Sequence, residues 1–138
     1  TTSKVLLIVI VLLFGFCVPD LYAGCSFRNV SDLRFGKLDP GNSVDVSQSG
    51  HITVICQPDV IFTITDDDGL NESGPDAHRM RNILNPSQFL PYRFTYPASP
   101  VSAVRKTKII FTGAVKGMDY QNAYKGSYSD TIVITINP

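Results

Sequence analysis

The chain has 138 residues, with twelve basic and twelve acidic side chains and a formal net charge of zero. That balance argues against nucleic acid as a partner, which requires a basic patch; Arg105-Lys106-Thr107-Lys108, the one basic cluster, reads as a solvated strand entry. The length suits a single domain with one hydrophobic core.

Lys4 precedes an apolar run from Val5 to Phe16, Pro19 breaks it, and Leu21-Tyr22-Ala23 offers a small residue for cleavage. This is the pattern of a secretory signal peptide over residues 1–23. The run is shorter than the roughly 20 apolar residues of a transmembrane helix, and an uncleaved anchor is the alternative. Cleavage after Ala23 leaves residues 24–138 as the domain. Cys17 departs with the leader, while Cys25 and Cys56 form an even pair in an exported protein, for which a disulfide is the default. It would close a loop of about 30 residues and contribute about 3 kcal/mol by chain entropy. Leu21-Tyr22-Ala23-Gly24-Cys25 also resembles a lipoprotein processing site, with Tyr22 where that site expects Leu, so lipidation of Cys25 stays open.

Beyond the leader no segment shows sustained helical periodicity; short alternating stretches are punctuated by turn residues. Leu33-Arg34-Phe35-Gly36 alternates into the turn Asp39-Pro40-Gly41-Asn42. Ile52 to Cys56 and Val60 to Thr65 read as two strands of a hairpin about Gln57-Pro58-Asp59, the first burying Ile52, Val54 and Cys56, the second Val60, Phe62 and Ile64. Asp66 to Pro75 is a polar loop, and Arg79 to Leu84 a short segment of undecided type. Phe89 to Tyr96 is a strand with Tyr92, Phe94 and Tyr96 on one side and an irregular entry at Pro91. Lys106 to Val115 alternates, with Ile109 and Phe111 together, and Gly117 to Gly126 is a loop carrying Tyr120 and Tyr124. The last strand, from Tyr128, places Ile132, Ile134 and Ile136 on one buried face and Thr131 and Thr135 on the other. Many short strands with turn signals indicate a β-sandwich.

Cys25, Leu33-Arg34-Phe35-Gly36, Gly50 leading through His51-Ile52-Thr53-Val54-Ile55 to Cys56, and the terminal stretch from Gly126 through Tyr128 and Asp130 to Ile136 follow one another in an order that resembles the spore coat protein U domain family. That family includes subunits of archaic chaperone-usher pili. The resemblance implies an all-β, incomplete immunoglobulin-like β-sandwich, completed by a donor strand and tied by Cys25–Cys56 from its first strand to its second. It marks Phe35, Gly36, Gly126, Tyr128 and Asp130 as motif positions and puts Ile132, Ile134 and Ile136 along an open groove. Its implied partners are a periplasmic chaperone, an outer-membrane usher and neighbouring subunits. Docking would be by β-strand addition, with main-chain hydrogen bonds and alternate side chains in pockets. The protein would pass through the periplasm to the cell surface as a structural component of a pilus or coat. Cleavage after Ala23 leaves no arm before Cys25, so the subunit would accept a donor strand without giving one; cleavage near Gly15 would supply an arm with Val18 and Tyr22.

Chemistry is expected to be absent. Asp66-Asp67-Asp68-Gly69 lacks the ligand pattern of an EF-hand, since Glu72 comes too early, and reads as a solvated acidic loop. His51 and His78 read as surface residues, with no nucleophile elbow, phosphate-cradling loop or paired metal-ligand spacing near them. No enzyme activity, cofactor, metal or small-molecule substrate is expected. Tyr128 is read as a core aromatic with a backbone partner for its hydroxyl, and Asp130 as a structural hydrogen-bonding group. The alternative function is a surface adhesin or glycan-binding module, with Tyr92, Phe94, Tyr96, Tyr120 and Tyr124 as a stacking platform if they are not core.

Overall fold

A computed structural model describes residues 7–11, 24–57, 60–97, 101–103 and 106–137. The expected cleavage site at Ala23, Cys17, and Pro58 and Asp59 of the expected turn lie outside the described residues. Among the described residues there are ten strands: β1 (Leu7–Val11), β2 (Gly24–Arg28), β3 (Val46–Gln57), β4 (Val60–Asp66), β5 (Arg79–Asn82), β6 (Phe89–Pro91), β7 (Arg93–Thr95), β8 (Val101–Ala103), β9 (Lys106–Val115) and β10 (Tyr128–Asn137). One short helix, α1 (Gly117–Tyr120), interrupts the loop before β10.

The strands form an all-β sandwich of two sheets. One sheet runs β2-β3-β9-β7; the other runs β6-β5-β10-β4-β8, with β1 added on β10. Every pairing is antiparallel except β1 with β10, which is parallel. The alternation in the sequence decides which side chains meet between the layers: Ile52, Val54 and Cys56 of β3, Ile109 and Phe111 of β9, Phe62 and Ile64 of β4, and Ile132, Ile134 and Ile136 of β10 are all buried. Phe94 and Phe111 stack at 5.7 Å between ring centroids across β7 and β9.

Three sequence expectations change. β3 and β4 are not a hairpin. Both edges of β3 are already taken, by β2 and β9, so β4 crosses to the opposite layer and brings its apolar face onto the core from the other side. Leu33 to Gly36 is not a strand. It crosses the core as irregular chain between β2 and β3, with Leu33, Phe35 and Leu38 buried. Gly113 of β9 makes the room: a Cβ there would lie 2.6 Å from Leu33 Cδ2 and 2.8 Å from Phe35 Cζ. Phe89 to Tyr96, finally, is two strands in different sheets. Pro91 has no N–H for the ladder, and at Tyr92 the chain switches layers, its N–H donating to the His78 carbonyl at 3.1 Å.

Cys25 and Cys56 are joined in a disulfide across directly opposed positions of β2 and β3. It links neighbouring strands of one sheet, and among the described residues it is the only covalent cross-link.

Candidate functional site: the second edge of the last strand

Successive residues of a strand aim their main-chain groups at alternate edges. In β10 the odd positions face a filled edge. The carbonyls of Thr131 and Val133 accept from Leu70 N–H at 2.9 Å and Asp67 N–H at 3.2 Å, and just before the strand the Ser127 carbonyl accepts from Ile83 N–H at 2.8 Å. β4, the loop from Asp67 to Leu70, and β5 therefore lie end to end along this edge. The even positions face the other edge, and there β1 alone among the described strands pairs, with Leu7 opposite Asp130, Val9 opposite Ile132 and Val11 opposite Ile134. Among the described strands β1 pairs with β10 alone.

The side chains of these same even positions point inward, since Tyr128, Asp130, Ile132, Ile134 and Ile136 are all at most 2 % exposed. The edge is thus a row of main-chain donors and acceptors directly above buried side chains, apolar from Ile132 onward. Ile132 and Ile134 lie within the stretch covered by β1, whereas Ile136 lies beyond it, opposite Ile64 of β4.

A polar network fixes the start of β10. Asp130 is buried, yet both carboxylate oxygens are satisfied: Oδ1 accepts from Leu70 N–H at 3.1 Å and Asn71 Nδ2 at 3.0 Å, and Oδ2 from the Tyr92 hydroxyl at 2.6 Å. Gly69 lies so close to this carboxylate that a side chain there would collide with it. Burial pushes the Asp130 carboxyl above its ordinary pKa, partly offset by the hydrogen bonds from Tyr92, Thr131, Asn71 and Leu70. Burial, then the Asp130 charge, raises Tyr92 far above the usual tyrosine value.

The other motif positions are structural in the same sense. The Tyr128 hydroxyl donates to the Tyr124 carbonyl at 2.7 Å, as its burial requires. Gly126 has a left-handed φ of +135°, and a Cβ there would lie 2.8 Å from Asn82 Nδ2. Fully buried Asn82 donates to the Lys125 carbonyl at 3.0 Å and accepts from Leu84 and Asn85 N–H, joining the β5–β6 loop to the entry of β10. Gly36 turns the chain after buried Phe35 with a φ of +74°.

His78 departs from expectation. It is buried at 4 % exposure, packed near Tyr92 and Phe94, with Nε2 3.0 Å from Asp66 Oδ2. Burial works to lower the imidazole pKa, but the hydrogen bond and charge of Asp66, with Asp68 and Asp130 behind it, outweigh that and the net shift is upward. The acidic stretch is only partly solvated: Asp67 accepts from Val133 and Gly69 N–H at 2.9 and 3.0 Å, and Asp66 and Asp68 are half-buried. No metal signature is visible in the residue spacing, yet one ligand atom from each of Asp66, Asp68 and His78 lies within 4.8 Å of the other two. The signal for this group was compositional, an Asp run and a His twelve residues on, and only the loop's return toward β5 joins them. Tyr92, Phe94 and Tyr120 are buried and offer no stacking surface, while Tyr124 is 54 % exposed.

The Spore Coat Protein U domain matches this chain over residues 16–99, which is 84 of the 138 residues. The chain belongs to that family, and the family is one of structural pilus- and coat-type subunits. The matched stretch contains Cys25, Phe35-Gly36 and Cys56; the terminal strand lies beyond it. No curated protein matches the chain. Among the described residues no helix is long and apolar enough to cross a membrane.

Proposed function

We propose that the chain is a secreted, non-enzymatic structural subunit of a pilus or coat, assembled by donor-strand complementation with a chaperone, an usher and neighbouring subunits. The observation that carries this reading is the second edge of β10, where the only strand among the described residues is an isolated parallel one from the segment read as a leader. Residues 1–23 are its signal peptide and 24–138 its assembled domain. Once the leader is removed, the main-chain groups of residues 130, 132 and 134 and the apolar side chains beneath them need a strand from another chain. Ile132, Ile134 and Ile136 form the floor on which the donor's alternate side chains sit.

The test is to purify the exported form and identify any stoichiometric partner by mass. A partner whose strand protects the amides of residues 130–134 from exchange supports the reading. A folded monomer that begins near Gly24 and unfolds cooperatively with no added strand overturns it.

A second reading, a surface-binding subunit, is favoured by one patch. Ile83 and Leu84, 60 % and 84 % exposed, stand on the loop that Asn82 ties to the loop carrying Tyr124. Retention on an apolar surface that is lost in Leu84→Ser, with unchanged folding, would support it; equal retention would remove it.

A further inference from the structure

We propose that Asp66, Asp68 and His78 form a site for a divalent transition cation of borderline softness, with zinc as its best probe. Asp66 ends β4, Asp68 lies in the loop that follows, and His78 immediately precedes β5, so three elements converge on one point. One imidazole nitrogen and two carboxylates are a donor set for zinc, which takes ligands at about 2.0–2.2 Å in tetrahedral sites and keeps a water where the protein supplies three. Such bond lengths put neighbouring ligand atoms about 3.3 Å apart. The His78 Nε2 to Asp66 Oδ2 separation of 3.0 Å already matches, and Asp68 needs only a side-chain adjustment to join them.

Two further observations point to a cation. The first is charge: Asp66, Asp67, Asp68 and Asp76 lie close in sequence, and among the described residues no lysine or arginine forms an ion pair with any of them. Arg79, which follows His78 in the chain, gives its donors to the carbonyls of Asn71 and Glu72 and lays its guanidinium over Phe89, and Arg93 lines the neighbouring concavity without forming an ion pair with these carboxylates. The second is access. A concavity lined by Asp66, Asp76, His78, Arg93 and Tyr96 opens beside the group, leaving space for an ion to enter and for water to complete its shell. The imidazole makes the set unsuited to calcium, which prefers six to eight oxygens. A bound ion would clamp the end of β4 to the start of β5, along the filled edge of β10. It involves neither the donor-strand edge nor any assembly partner, so its failure would leave the proposed function untouched.

The test is zinc titration of the full chain by calorimetry at neutral pH after chelator treatment, in a Cys17→Ser background so that no free thiol competes. One equivalent should bind. Outer-shell partners of a metal are worth about 10- to 100-fold in affinity, so loss of a direct ligand in Asp68→Asn should cost at least about 10-fold. His78→Gln should abolish binding, and because His78 is buried, Asp68→Asn at the half-buried loop position serves as the variant that keeps its fold. Asp39→Asn, in a separate turn, should change nothing. No saturable zinc binding, binding unmoved by Asp68→Asn, or tighter binding of calcium than of zinc would each overturn the proposal.

Discussion

Tyr92 and Asp130, 38 residues apart in sequence, meet in the core through a 2.6 Å hydrogen bond from the phenol to the carboxylate. Tyr92 stands where the chain leaves one sheet for the other, and Asp130 is the third residue of the last strand. The bond fixes the switch point relative to the strand whose second edge carries the proposed function. Removing the hydroxyl leaves a buried carboxylate oxygen short of its donor, which costs about 1–3 kcal/mol or more when the group is charged. Tyr92→Phe should lower the urea midpoint accordingly while leaving the disulfide intact, and equilibrium unfolding of the full chain checks it.

Asp130 also sets a pH dependence. Its folded pKa is raised above the ordinary carboxyl value of 3.8, so the folded state binds the proton more tightly than the unfolded chain. Its contribution to stability is therefore fully present below 3.8 and is lost as pH rises through the folded value. Asp130→Asn can keep the geometry, with its oxygen accepting from Leu70 and Asn71 and its amide donating to Tyr92. Relative to the native chain, the variant should gain stability between pH 3.5 and pH 7. A difference that is flat with pH would show that the carboxylate is not desolvated.

The disulfide is tested by the double variant Cys25→Ser, Cys56→Ser. Loss of a native bridge in a small secreted domain typically costs roughly 2–5 kcal/mol. Because Cys25 and Cys56 are opposed on β2 and β3, protection from hydrogen exchange should fall first on β2, which has a single neighbour in its sheet.

Gly113→Ala probes the irregular segment over the core. The added methyl would press on Leu33 and Phe35, and overpacking of this kind costs about 1–3 kcal/mol. The same substitution at Gly74, with no atom within 4 Å of its Cβ position, meets no neighbour and costs only the strain of its φ of +156°. Paired melting curves separate the two.

The strand faces were legible because burial in a sandwich repeats every two residues. The burial of Ile132, Ile134 and Ile136, of the trio Ile52, Val54 and Cys56, and of the Tyr128 ring all follow from that period. Pairing partners were not legible. The alternation of β3 and β4 is the same whether they pair side by side or face one another across the core, and only the prior occupation of both β3 edges decides. Leu33 and Phe35 alternate like a strand but are buried by a glycine on β9, about 80 residues later in the chain.

The sequence by itself determined the class of fold and the cysteine pair, which rest on periodicity and composition, and the family, which rests on the resemblance of its motifs in their order. Only the tertiary structure decided where β10 finds its neighbours, that Asp130 is held by Leu70, Asn71 and Tyr92, and that His78 is buried against Asp66. Those facts depend on contacts between residues distant in the chain. A polar side chain reads the same in sequence whether water or a buried partner satisfies it, and the packing of the two sheets makes that choice.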